Sequence, residues 1–169
     1  MAGLWRAMTM SDLPQVMDIA ARVHTGYFES EAVFAERLAL FAPGCRVAVA
    51  QDAETVLLGY SIMHPAHYGE PPPLNSLLHR LDANADGLHL HDVALLPQAR
   101  GAGLGRTLIA HLHDLMRTHR LAYASLIAVH GSAAYWHGAG FVPDALSGAR
   151  LASYGDDAIY MILRPGNEA

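Results

Sequence analysis

Apolar and polar positions along this chain follow two rhythms, and the switches between them divide it into elements. Spacings of three and four put Val16, Ile19, Ala20 and Val23 on one side. They predict a helix that opens at Ser11-Asp12-Leu13-Pro14, where capping side chains precede a proline suited to a first turn. A second helix from about Ser30 turns Val33, Phe34, Leu38 and Phe41 inward and stops at Pro43-Gly44. Strand-like runs cover residues 4–8, 46–50 and 56–63, the last two joined by a polar turn as an antiparallel hairpin. From His64 to Gly87 the rhythm disappears into a stretch with Pro71-Pro72-Pro73, long for a structureless loop and read as a flap beside a substrate site.

The rhythm returns at residues 88–106, LHLHDVALLPQARGAGLGR, around which the rest is organised. Its first half alternates and then runs apolar to Pro97, as a mostly buried strand does. Its second half sets Gly101, Gly103 and Gly105 at alternate positions and opens a helix with Leu104, Leu108, Leu112 and Leu115 inward. Residues 122–129 form a continuous apolar run, the pattern of a parallel strand buried on both faces, so the passage reads as a strand–helix–strand unit of right-handed crossover. Ser132 then caps a short helix over residues 133–137, and residues 158–163 supply a last strand. The expected fold class is α/β (α+β), a central mixed sheet flanked by helices on both faces.

Composition narrows the picture. The 169 residues suffice for one domain with a continuous core, and no compositional shift divides them. A formal charge of -5 argues against nucleic-acid or anionic-membrane binding, and no apolar run is long enough to span a bilayer. Cys45 stands alone, which excludes internal disulfides and suits a cytoplasmic location; at the head of an apolar strand it reads as a buried structural thiol. Nothing in the chain sets its oligomeric state, and a homodimer stays open.

The glycines give the first chemistry. A strand, a glycine-rich loop and a helix N-terminus together make an anion site: the glycines admit close approach and positive φ, and the free helix amides and dipole face the ligand. Gln98, Arg100 and Arg106 add donors and charge to an otherwise acidic chain. The spacing fails the dinucleotide fingerprint, which disfavours an oxidoreductase, and no Gly-Lys-Ser/Thr of a P-loop follows.

Gln98-Ala99-Arg100-Gly101-Ala102-Gly103, followed by Leu104-Gly105-Arg106, resembles the signature of the GNAT superfamily of acyl-CoA-dependent N-acyltransferases, Arg/Gln-x-x-Gly-x-Gly/Ala. The resemblance implies that this loop wraps the pyrophosphate of coenzyme A after the strand Val93-Ala94-Leu95. It implies that the backbone near Leu95 polarises the thioester carbonyl of acetyl-CoA, and that a primary amine attacks it directly. A second resemblance lies in Tyr135-Trp136 before Gly140-Phe141, a region that lines the thiol end of the cofactor, with Ser132 at its start. Where many members carry the tyrosine that protonates the departing thiolate, this chain has Trp136, whose indole N–H cannot serve; Tyr135 or a water then does so, or no acid is needed.

For the general base the strand offers His89 and His91, which plain alternation places on one face with Val93 and Leu95 and away from Asp92. Imidazole has the right intrinsic pKa to take a proton near neutrality. The resemblance puts an acid-base residue at these positions, and His91, nearer Leu95, is the favoured base, with His89 second and Asp92 a structural or acceptor-binding carboxylate. A zinc site built on His-x-His lacks further ligands at matching spacing. The same tetrapeptide at His111 to Asp114 falls on a helix and reads as a solvated face. The two-helix connector overhangs the acceptor site in the resemblance, so Tyr27 and Glu29, with Tyr68 in the flap, are the acceptor-contact candidates. The acceptor is a small amine, a polyamine or aminoglycoside-like amine, an amino acid or a protein amine. A non-catalytic acyl-CoA-binding module, with structural histidines, is the rival reading.

Overall fold

The computed structural model describes residues 2–146 and 148–166. Seven strands form one sheet in the order β1-β2-β3-β4-β5-β7-β6. The strands are β1 (Gly3–Ala7), β2 (Cys45–Ala50), β3 (Ala53–Ala66), β4 (Gly87–Leu95), β5 (Tyr123–Ala128), β6 (Val142–Pro143) and β7 (Ile159–Leu163). Among the described residues only β4 and β5 are parallel neighbours, and the helix α3 (Leu104–His119) connects them. The helices α1 (Leu13–Val23) and α2 (Glu31–Leu40) lie between β1 and β2, and α4 (Ala133–Gly138) and α5 (Gly148–Leu151) follow β5.

Alternation along the strands separates two apolar layers. Val47, Val49, Tyr60, Ile62 and Ala94 pack with Val16 and Ile19 of α1 and Phe34 and Leu38 of α2. On the opposite face Met63, Leu88, Leu90 and Leu126 pack with Leu108, Leu112 and Leu115 of α3 and with Trp136 and Phe141. Cys45 is buried as expected, and burial pushes its thiol up to about 12. The first helix starts next to the expected Ser11-Asp12, with Pro14 in its first turn, but Asp12 makes no side-chain cap to it: its carboxylate accepts instead from the Thr9 amide, closing a 3-10 turn over Met10–Asp12, and from both Arg6 guanidinium nitrogens at 2.8 Å.

Three sequence expectations need correction. β3 runs to Ala66 because its last three residues pair with Gly87, Leu88 and His89, so the irregular stretch is residues 67–86. That stretch is tied down by carboxylates and hydroxyls: Glu29 accepts the Asn75 amide, Glu36 accepts those of Leu78 and His79, and the Tyr154 hydroxyl donates to the Pro72 carbonyl. His111 does not face solvent freely; Arg46 Nε donates to its Nε2 at 2.9 Å. The third correction lies in β4.

Ile62 pairs with Asp92 and the next residue, Met63, pairs with Leu90, so His91 is an extra residue in β4. This bulge breaks plain alternation. Leu90 and Val93 both pack on the α3 side, whereas His91 and Asp92 both turn to the α1 side, where they meet Glu29, His24 and Tyr60. Asp92 therefore shares a face with the histidines instead of opposing them, and Val93 and Leu95 are on the other.

Candidate acyl-transfer site

β4 and β5 are paired only from Gly87–Tyr123 to Leu90–Leu126. Beyond that point they separate, and a cavity of about 650 Å³ opens between Asp92–Leu95 on one side and Ile127, Val129 and His130 on the other. The separation leaves one edge of β4 without a strand partner. The Val93 carbonyl accepts from His24 Nε2 at 3.0 Å and the Leu95 carbonyl from Arg100 Nε at 3.3 Å, while Leu96 N–H bonds back to Leu58 of β3. Since a strand residue sends its N–H and C=O to the same edge, the amides of Val93 and Leu95 point into the gap.

One end of the cavity is the glycine loop. Gly101 and Gly103 adopt φ of 80° and 82°, conformations that side chains disfavour, and Gly103 caps the N-terminus of the sixteen-residue α3. The free amides of that first turn converge with Arg100 at the rim, and the Arg106 guanidinium approaches Gly103. Trp5 Nε1 donates to the Leu104 carbonyl at 2.9 Å, which fixes the helix start against β1. A pyrophosphate finds here amide donors, a helix dipole and cationic side chains; the cradle fits the anionic part of coenzyme A.

Of the expected cofactor residues, Val93, Ala94, Leu95, Arg100, Gly101, Gly103, Leu104, Gly105, Ser132, Tyr135 and Trp136 line the cavity, whereas Gln98, Ala102 and Arg106 do not. Gln98 sits in a 3-10 turn over Pro97–Ala99 that ends before the loop. The same signature pattern is met again two residues later, by Arg100, Gly103 and Gly105, and that register is the one that faces the cavity. Trp136 packs edge-on against Phe141 in the core, and Tyr135 is exposed with its hydroxyl over Gly105.

The other end holds two histidine–carboxylate pairs. His91 Nε2 donates to Glu29 Oε1 at 2.8 Å, with both side chains almost fully enclosed. His24 Nε2 stands 2.9 Å from Asp92 Oδ1, and Asp92 Oδ2 accepts from the Tyr60 hydroxyl at 2.7 Å. Burial works against charging His24, but Asp92 and the Val93 carbonyl outweigh it and lift its pKa above the usual histidine value. Tyr27 and Glu29 line this end, with Val23, Leu74, His130 and Tyr154.

Two candidates lie elsewhere. His89 is enclosed beside Ser125 Oγ at 2.9 Å and does not reach the cavity; burial, reinforced by His64 and His91, holds its pKa well below the usual value. Tyr68 also lies outside the cavity, packed between Tyr123 and Tyr160 with its hydroxyl on Asp144. His24 is the residue sequence pattern alone does not single out, because its importance depends on the separation of β4 from β5 and on the bulge that turns Asp92 toward it. Although His64, His89 and His91 cluster, the described residues include no group of three His, Cys, Asp or Glu able to hold a metal. No described helix is long and apolar enough to cross a membrane.

Comparison with solved structures identifies this architecture. A chain of the NatC complex bound to Gag peptide and CoA superposes with a TM-score of 0.75 at 16% identity, covering 98% of this chain and 100% of that one. The ribosomal-protein-S18-alanine N-acetyltransferase from Escherichia coli gives 0.64 at 20% identity, with 99% and 98% covered. GphF, a GNAT-like decarboxylase in complex with isobutyryl-CoA, gives 0.75 at 16%, with 95% and 98% covered. Curated proteins provide no match. The sequence profile of the acetyltransferase (GNAT) family matches residues 13–141. With its glycine loop and separated strands opening on one cavity, this chain belongs to the GNAT acetyltransferase family, whose acyl donor is acetyl-CoA.

Proposed function

We propose that this protein transfers the acetyl group of acetyl-CoA to a primary amine by direct attack. The observation that carries the reading is one cavity running from the helix-capping glycine loop, past the unpaired edge of β4, to two histidine–carboxylate pairs. Arg100, Gly101 and the amides of Gly103 to Gly105 hold the pyrophosphate, and the amides of Val93 and Leu95 donate to the thioester carbonyl as negative charge builds on its oxygen. The amine nitrogen forms a bond to that carbonyl carbon, the C–S bond breaks, and the amine's proton leaves through a histidine–carboxylate pair. Tyr135, whose hydroxyl lies over Gly105 at the glycine-loop end, or water supplies a proton to the departing thiolate. Most of the rate gain comes from positioning and carbonyl stabilisation.

Two carboxylates, Glu29 and Asp92, against histidines, with no Lys or Arg among the described residues that line the acceptor end, favour a cationic amine over an acceptor with its own carboxylate. Release of free thiol from acetyl-CoA, measured against a panel of small amines, polyamines, amino acids and peptide N-termini, tests the function. Thiol release with at least one amine is the expected result. Tight coenzyme A binding without release for any amine would instead establish the non-catalytic acyl-CoA-binding reading.

A further inference from the structure

His24 ends α1, and its ring enters the acceptor end of the cavity. Its Nε2 faces two groups that can only accept, the Val93 carbonyl at 3.0 Å and Asp92 Oδ1 at 2.9 Å. The proton of the neutral ring is thereby fixed on Nε2, and the lone pair is on Nδ1. Nδ1 has no hydrogen-bond partner among the described residues and is not enclosed, and the side chain is 20% exposed. An orienting carboxylate on one nitrogen and an open lone pair on the other is the arrangement a general base requires.

His91 lacks that arrangement although it lines the same cavity. Its Nε2 is committed to Glu29, its Nδ1 is enclosed without a partner, and its side chain is 1% exposed. Glu29 in turn accepts the Asn75 amide, so the His91–Glu29 pair joins β4 to the connector and the connector to the stretch after β3.

We propose that His24, oriented by Asp92, is the general base that takes the proton from the attacking amine, and that His91 is a positioning residue that braces the connector through Glu29. The assignment rests on the acetyl-transfer reading. As the N–C bond forms, an N–H proton of the amine passes to His24 Nδ1. The C–S bond breaks with its electron pair on sulfur, the thiolate takes a proton from Tyr135 or solvent, and His24 returns its proton to solvent. The titratable groups facing the His24 ring are Asp92 from β4, with Tyr60 of β3 behind it, Glu29 from the connector, and His130 after β5, whose ring is stacked parallel at 6.3 Å.

The test is the pH profile of kcat/KM for the best amine of the panel, in wild type and in His24→Gln, Asp92→Asn and His91→Gln, with calorimetric coenzyme A affinity as the check on folding. The wild type should show an acidic limb. His24→Gln should lose that limb and about two to four orders of magnitude in rate. Asp92→Asn should keep the limb but move it to lower pH, because the carboxylate that favours the imidazolium is gone. His91→Gln should keep the limb and raise KM. The shift in Asp92→Asn carries the test should His24→Gln fail to bind coenzyme A. An unchanged limb in His24→Gln, or its loss in His91→Gln, overturns the assignment and leaves acetyl transfer standing; absence of turnover in the wild type overturns both.

Discussion

The hydroxyl of Tyr135 stands over Gly105, in the place that a side-chain carbon at residue 105 would occupy. The first turn of α3 and the helix after β5 thus meet at this point through the tip of an exposed side chain, and both Gly105 and Tyr135 line the cavity. Gly105→Ala should displace the Tyr135 ring and weaken coenzyme A binding, read by calorimetry. Tyr135→Phe, which keeps the ring, should preserve that affinity and lower turnover. Trp136→Phe should mainly reduce stability, by about 1–3 kcal/mol, since Trp136 packs in the core against Phe141. Equal and near-wild-type turnover in Tyr135→Phe and Trp136→Phe would assign protonation of the thiolate to water.

Gly103 tests the anion cradle. It caps α3 at φ 82°, so Gly103→Val places a β-branched side chain in a conformation it resists and in the space above the helix amides. Coenzyme A binding should be abolished while circular dichroism retains the folded signature. Wild-type affinity in the folded variant would show that the pyrophosphate binds elsewhere.

The buried histidines make acid stability a second readout. Burial, with His91 nearby, pushes His64 down to about 3, and burial also holds His89 well below its usual value. Both are neutral when folded, but in the unfolded chain they titrate near 6.5. Below that pH the unfolded state binds more protons, so stability falls as pH falls, with a slope of up to about 1.4 kcal/mol per pH unit per histidine. His24 acts in the opposite sense: its raised pKa gives a contribution complete below its unfolded value and lost as pH rises through the folded one. Denaturant unfolding at pH 7, 6 and 5 should show decreasing stability, with a shallower slope in His64→Gln. An unchanged slope in that variant would mean that His64 is not neutral in the folded protein.

The parts of the fold legible in the sequence are those where a period repeats without interruption. The leucines of α3 and the strand pattern of β2 translate directly into buried faces, and the glycine loop with its helix is recognisable from composition and spacing. What could not be read depends on pairing between distant strands. The orientation of Asp92 is set by how β4 registers with β3, and nothing in residues 88–96 reveals that one of them has no partner. Gln98 and Arg100 both satisfy the loop pattern, and only the 3-10 turn that takes up Pro97–Ala99 distinguishes them. His24 and Tyr68 look alike in sequence, polar rings in irregular segments. The opening between β4 and β5 receives the first, while the second is held by Asp144 and two tyrosines.

The bulge at His91 has a consequence for lineage and for engineering. Because His91 and Asp92 point the same way, removal of residue 91 alone would leave Leu90, Asp92 and Val93 in unbroken alternation, each facing the layer it faces now. A relative one residue shorter here would keep the glycine loop, the carbonyl-binding amides and the His24–Asp92 pair, and would lose only the brace to Glu29. The extra residue is thus a detachable addition to an otherwise intact strand, open to gain or loss in a single codon step, and column-by-column alignment across such a step would assign its histidine to the wrong side of the sheet.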